Sequence, residues 1–337
     1  MQLDLRTVTL TPLRNTFSHI AKRLGSDKPA SRYQEATYDI QATYNFHYRP
    51  LWAPEYEIFD ASRTAIKMDD WYKLLDPRQF YYGTYTLARA RMQEAAEADF
   101  SLVEDRNLAA AIPDDVMQAA LDLYVPLRHV EWGANTNCCF IAAYGYGAAI
   151  TSPAMFQSMD HLGIAQYLTR LGLVLDGPIA LDQGKEAWLN AKRWQPLRKY
   201  IEDSFVLDDW FELYIAQALV LDSLHFPLAY EVLDERLSKQ GAGAILSMLT
   251  RFQAQWFAEN VKWVNAVVKI AAAESPENAA KISEWTNHYT ALAQSALTPI
   301  AEHAVGNGEG SEIVEKLVDD LGIRVGRLGI TLEKRSQ

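Results

Sequence analysis

Residues 252–273, FQAQWFAENVKWVNAVVKIAAA, constrain this chain more than any other stretch. Phe252, Trp256, Trp263, Val267 and Ile270 recur at helical spacing, which puts one broad apolar face along a long helix. Such a face is stable only when other helices cover it. Asn260 and Trp263 lie in the middle of that face, three residues apart.

The rest of the chain supplies the covering helices. From Pro113 onward almost every segment reads as helix. Ile112-Pro113-Asp114-Asp115 starts one that runs to about Tyr146, with Pro126 as an expected kink. Ser152-Pro153 reads as an N-cap and first position, opening a helix to about Leu175, and Gly177-Pro178 ends it. A shorter helix is expected over 184–202, and a long one over 207–238, interrupted at Pro227. Ser275-Pro276-Glu277-Asn278 is an N-cap signature for a helix to about His303. Upstream, Asp76-Pro77 reads as the start of a helix reaching about Ala110. The long helices fall into two consecutive pairs, 112–175 and 207–274. No strand or hairpin pattern precedes the tail. The predicted fold is all-α: a ferritin-like helical bundle with additional helices, an extended N-terminal arm and a small C-terminal appendage. The expected divisions are an arm and aromatic-rich segment over 1–90, packing on the bundle and a partner, the bundle over 91–305, and the appendage over 306–337.

A net charge of −11 argues against nucleic acid, whose phosphates demand a basic face. Nine Trp and seventeen Tyr imply either a thick core or a broad partner surface. The arm fits a segment lying on another subunit or a frayed terminus equally. Cys138 and Cys139 are adjacent in an apolar run and read as buried thiols, which suits a cytoplasmic protein. No signal peptide is visible. From Trp132 to Met159 no residue is charged, but Asn135, Asn137, Gly145, Gly147, Ser152 and Pro153 break the run below the ~18 residues of a membrane span. It reads as two helix segments buried in protein.

A di-iron bundle needs four carboxylates and two His, with two Glu-x-x-His pairs that place both ligands on one helical face. The residues three before the seven His are Thr16, Tyr44, Pro126, Ser158, Asp222, Trp285 and Ile300. Only Asp222-x-x-His225 is acidic, and its bland reading is a core histidine. Asn260-x-x-Trp263 holds neither ligand. On the earlier pair of helices Asp160 and Gly163 share a face, so glycine stands where His is needed, and His161 lies on a different face. Glu131 is an inward candidate, expected to pair with Arg128 or with neighbouring caps. Phosphate loops, His-Glu-x-x-His and Gly-x-Ser-x-Gly are absent.

Four stretches carry a family resemblance: ATYNFHYRPLWAPEYEIFD over 42–60, DWYKLLDPRQFYYGTYTLARARMQ over 70–93, PLRHVEWGANTNCCF over 126–140, and 252–273. With them the chain resembles the β subunit of the hydroxylase component of bacterial multicomponent monooxygenases, in the phenol hydroxylase and toluene ortho-hydroxylating branch. The resemblance implies that a similar α subunit carries two Asp-Glu-x-Arg-His motifs and the di-iron centre. The matching positions here are Glu259-Asn260-Val261-Lys262-Trp263 on the later helix and Asp160 with Gly163 on the earlier one. Asp160, Gly163, Asn260 and Trp263 are therefore vestigial ligand positions, and this chain is expected to hold no cofactor, no metal and no catalytic residue. It further implies an α2β2γ2 assembly with a small γ subunit. A regulatory protein and a reductase carrying FAD and a 2Fe-2S cluster, fed by NADH, would bind transiently, and the complex would convert phenol to catechol. Two other readings stand beside it: a helical interaction protein without an oxygenase partner, and a metal-binding bundle oxidase using Asp222, His225, Glu131 and Asp160.

Overall fold

Glycines and prolines punctuate a chain that is otherwise helix. The computed structural model describes residues 16–26, 28–40, 49–306 and 308–333, and no strand occurs among them. Tyr44, Phe46 and Tyr48 of the aromatic segment lie outside the described residues. Two short helices, α1 (Ser18–Leu24) and α2 (Arg32–Glu35), come first. Arg23 ties them down, pairing with Asp39 at 2.6 Å and with Asp70 at 2.6 Å. The long helices are α3 (Tyr82–Asp105), α4 (Asp114–Tyr144) and α5 (Ala148–Asp176). Next come α6 (Pro178–Asn190), α7 (Gln195–Ser204) and the long α8 over residues 210–242. The last are α9 (Ile245–Leu249), α10 (Arg251–Glu274), α11 (Pro276–Val305) and α12 (Glu309–Gly326).

The two expected helix pairs form: α4 with α5, and α8 with α10. Together they enclose Tyr124, Leu127, Ile164, Leu168, Leu219, Trp256, Trp263 and Val267 in one core. α12 joins the same core through Val314, Leu317, Leu321 and Val325. Seven of the nine tryptophans, Trp71, Trp188, Trp194, Trp210, Trp256, Trp263 and Trp285, are buried, so the aromatic surplus goes mainly to the core. Trp52 and Trp132 are exposed.

Several boundaries differ from the sequence reading. Asp76 does not cap a helix. Its buried carboxylate accepts from the Arg78 backbone N–H and guanidinium, and Gln79 takes a positive φ, which breaks the chain before α3. α3 starts instead after Tyr81, whose N–H donates to Thr84 Oγ1 at 3.1 Å. α5 starts at Ala148, because Gly147 takes φ +87° and turns the chain early; Pro153 then lies inside the helix at the cost of one backbone bond. Pro126 also lies inside continuous α4. The helix expected over 184–202 is two helices, α6 and α7.

α8 is unusual in having π-helical turns at Ile215–Leu221, Leu228–Leu233 and Ser238–Ala242. Pro227, which has no N–H to donate, falls between two of them and does not end the helix. The wider π turn brings Gln217 and Asp222, five residues apart, onto one face, where Gln217 Nε2 donates to Asp222 Oδ1 at 2.8 Å.

The uncharged run over 132–159 is buried on one side only. Trp132, Met155, Met159 and Leu162 are 55%, 43%, 40% and 43% exposed, so α4 and α5 present an apolar outer face. Cys138 is buried as expected, whereas Cys139 is exposed on this face.

The join between α11 and α12 leaves no room for a side chain at its glycine. A Cβ on Gly310 would fall 2.3 Å from the Glu302 backbone nitrogen. Gly310→Ala is therefore expected to cost about 1–3 kcal/mol by overpacking. Thermal unfolding of the variant checks this, and an unchanged Tm would mean that α12 docks differently.

Candidate functional site

The bundle holds two buried polar clusters, and the four positions expected to be vestigial lie on or beside the first. The first gathers around Asp160 on α5. Arg89 of α3 grips its carboxylate with both ends of the guanidinium, Nε to Oδ1 at 2.8 Å and Nη2 to Oδ2 at 2.8 Å. Tyr85 Oη donates to Oδ1 at 2.8 Å and Trp256 Nε1 donates to Oδ2 at 2.8 Å. Arg89 Nη2 also reaches Glu259 of α10 at 3.0 Å. Burial works against the charge on Arg89, but the bonds to Asp160 and Glu259 outweigh it and hold the side chain firmly protonated. Gly163 opens onto a cleft lined by Tyr85, Arg89 and Asp160.

Asn260 and Trp263 are closed off from the other side. Asn260 Oδ1 accepts from Arg78 Nη1 at 3.3 Å, and Arg78 in turn is held by Asp76 at 2.9 Å. Trp263 is fully buried, edge-on to Tyr214 with ring centroids 5.3 Å apart, and the Arg78 guanidinium lies 5.5 Å from its ring.

The second cluster lies between α4, α5 and α8. Glu131 does not pair with Arg128, which instead donates to the Leu181 carbonyl. Glu131 Oε2 lies 2.6 Å from His161 Nδ1, and its Oε1 lies 3.3 Å from His225 Nε2. His161 Nε2 faces Asp222 Oδ2 at 3.7 Å. Gln157 and Gln217 also donate to Asp222, at 3.3 Å and 2.8 Å. All four of Glu131, His161, Asp222 and His225 are essentially inaccessible to solvent. Burial lowers the affinity of His161 for a proton. The Asp222 carboxylate 3.7 Å from Nε2 and the hydrogen bond between Nδ1 and Glu131 oppose that and raise it well above the usual histidine range. His225 shifts the other way, because burial outweighs its carboxylate neighbours. Burial also pushes the Cys138 thiol up.

These residues do not fit a di-iron centre. Asp160 is fully taken up by Arg89, Tyr85 and Trp256, Gly163 brings no donor, Asn260 is bound to Arg78, and Trp263 is packing. The remaining donors do not converge, since the two nitrogens of His161 point at different carboxylates. Among the described residues no group of three or more His, Cys, Asp or Glu side chains is arranged to hold a metal ion.

The sequence puts Asp160 and Gly163 on one face of α5 and His161 on another; in the structure Asp160 is buried against Arg89 and Trp256, and His161 lies on the stripe facing α4 and α8. The inward stripe of α5 is Ala154, Gln157, His161, Ile164 and Leu168. That stripe has plain helical spacing and was readable without the motif. Arg78 and Arg89 left no local signal.

The family described as Methane/Phenol/Alkene Hydroxylase matches residues 52–275. The chain belongs to that family. It is 48% identical over 91% of its length to the phenol 2-monooxygenase oxygenase component DmpL of Pseudomonas sp. (strain CF600), covering 92% of that protein. It is 43% identical over 90% of its length to the oxygenase component MhpL of Acinetobacter pittii (strain PHEA-2), again covering 92% of the relative. A chain of phenol hydroxylase from Pseudomonas sp. OX1 superposes with a TM-score of 0.91 at 42% identity, over 98% of this chain and all of that one. A chain of toluene 4-monooxygenase shares the fold, with a TM-score of 0.75 at 21% identity over 91% of this chain and 99% of that one. The all-α, ferritin-like reading therefore stands, and the chain is a hydroxylase subunit within an oxidoreductase family. No helix among the described residues is long and apolar enough to cross a membrane.

Arg89 links α3, α5 and α10, and removing it leaves Asp160 buried without its cation. Arg89→Met is expected to destabilise by about 3–5 kcal/mol, while Arg89→Lys, a cation without the fork, recovers part of the loss. Chemical denaturation of both variants measures this, and a silent Arg89→Met would contradict the role given to Arg89.

Proposed function

We propose that this chain is the non-catalytic β subunit of a multicomponent phenol hydroxylase. The observation that carries the non-catalytic part is the filling of the ligand positions: Arg89 holds Asp160, Arg78 holds Asn260, and Trp263 packs on Tyr214. The relatives named as phenol 2-monooxygenase oxygenase components support phenol as the substrate class. The similarity to the hydroxylase component subunit beta of toluene-4-monooxygenase, 22% identical over 73% of this chain, agrees in kind.

In this reading the chemistry takes place in a homologous α subunit carrying the di-iron centre. NADH supplies two electrons through a separate reductase with FAD and a 2Fe-2S cluster. One oxygen atom of O2 enters the ring and the other leaves as water: phenol, O2, NADH and a proton give catechol, NAD+ and water. This chain scaffolds the α subunit in a cytoplasmic α2β2γ2 assembly, which a small regulatory protein and the reductase visit transiently. The apolar outer face of α4 and α5 supports the scaffold role, because Trp132, Met155, Met159 and Leu162 are uncharged and half open. The α subunit is the occupant proposed for it. The bundle-oxidase reading loses Asp160 to Arg89.

Native purification of the tagged chain is expected to recover a larger di-iron subunit in equal amount, with all stoichiometric iron in that partner. Met159→Asp should release the partner while leaving the helical circular-dichroism signal and Tm of this chain intact. Recovery of the chain alone from its host would favour an interaction protein without an oxygenase partner. Stoichiometric iron in this chain would favour a bundle oxidase.

A further inference from the structure

The centre of the bundle contains two carboxylates and no arginine or lysine in contact with both. Glu131 comes from α4 and Asp222 from α8, and both are almost fully buried. The ring of His161, from α5, lies between them. Nδ1 is 2.6 Å from Glu131 Oε2, a hydrogen bond, and Nε2 on the opposite side is 3.7 Å from Asp222 Oδ2, beyond hydrogen-bond distance but within ion-pair reach.

A neutral imidazole has one N–H and one lone pair. In that state one of its nitrogens would turn a lone pair toward a carboxylate oxygen. Only the imidazolium turns an N–H toward both. The surroundings fit this. On α4 the neutral Cys138 thiol and Glu131 face the ring; on α5, Gln157 lies one turn away and donates to Asp222. On α8, Gln217 donates to Asp222 and the neutral His225 stands by the second oxygen of Glu131. On α10 the uncharged Trp256 meets the His161 ring edge-on, with centroids 4.7 Å apart. From α12 Arg324 donates to Ser223 Oγ at 2.5 Å, beside Asp222 on the same turn of α8. With His161 charged, the two carboxylates are balanced by one imidazolium and the guanidinium on Ser223.

We propose that His161 is a fixed internal cation: held between Glu131 and Asp222, its imidazolium takes the charge-balancing place that metal ions hold in a di-iron bundle. The inference deepens the non-catalytic reading of the same bundle centre. Failure of the chain to join a di-iron subunit would sink that reading alone, whereas the outcomes below concern the charge on His161.

The test is a double-mutant cycle in the full chain, with His161→Gln, Glu131→Gln and the pair together. His161→Gln keeps the volume but removes the charge, leaving two buried carboxylates without their cation. Its Tm is expected to fall by roughly 5–10 °C. Adding Glu131→Gln removes one of the uncompensated charges and should recover at least half of that loss. If His161→Gln alone does not accumulate, the same comparison is read as soluble yield, which the double variant should restore. In 15N-histidine spectra of the parent at pH 8, where ordinary histidines are neutral, one imidazolium with both ring nitrogens protonated is expected. A neutral tautomer at His161, an additive double variant, or a stoichiometric metal ion lost with His161→Gln would overturn the proposal.

Discussion

A carboxylate inside an apolar core must have a cation or lose its charge, and this bundle is arranged around that requirement. Asp76, Glu131, Asp160 and Asp222 are all buried. Arg78 serves Asp76, Arg89 serves Asp160, and the His161 ring lies between Glu131 and Asp222. Each of these cations also reaches a separate element. Arg89 connects α3 with α5 and α10, Arg78 connects the segment before α3 with α10, and His161 connects α5 with α4 and α8. The polar interior is thus a set of cross-braces, and α3, α4, α5, α8 and α10 each enter at least one of them.

The π turns of α8 belong to the same arrangement. In a regular α-helix, side chains five apart point in different directions. The π stretch at Ile215–Leu221 overcomes this and lets Gln217 solvate Asp222 while its Oε1 accepts from Asn137 of α4. A buried acid thereby gains a donor from its own helix, and that helix gains a bond to α4.

The fold was legible in the sequence because the long helices carry their own periodicity. The two pairs and the Ser275 cap needed nothing beyond local pattern, and Ser275 does accept from the Asn278 N–H. Asp76 and Ser152 misled because each has the right neighbours for a cap, while a positive φ at Gln79 and at Gly147 decides the turn elsewhere. At the candidate site, the places of Asn260 and Trp263 were legible because they sit on a strong apolar stripe. The motif offset separates His161 from Asp160 correctly but does not say which face of α5 meets α4 and α8. The stripe Ala154, Gln157, His161, Ile164, Leu168 is the better guide. Arg89 with Asp160 and Arg78 with Asn260 are separated by 71 and 182 residues, and no local rule pairs residues that far apart.

Stability alone does not explain why such a core keeps its charges, since an apolar core of the same volume is often as stable as a buried ion pair or more so. Direction is the better explanation. Asp160 and His161 are adjacent on α5 and are bonded in different directions, Asp160 by Arg89 of α3 and Trp256 of α10, and His161 by Glu131 of α4. Consecutive residues on a helix point about 100° apart, so two bonded neighbours fix the rotation of α5 about its axis. With that rotation fixed, Met159 and Leu162 can only face outward, beside Trp132 of α4. An apolar core would let α5 turn by a fraction of a residue at little cost. Turning it would bury part of the uncharged outer face and expose part of the core stripe. The charges are therefore best understood as setting the aim of a surface rather than the strength of a core.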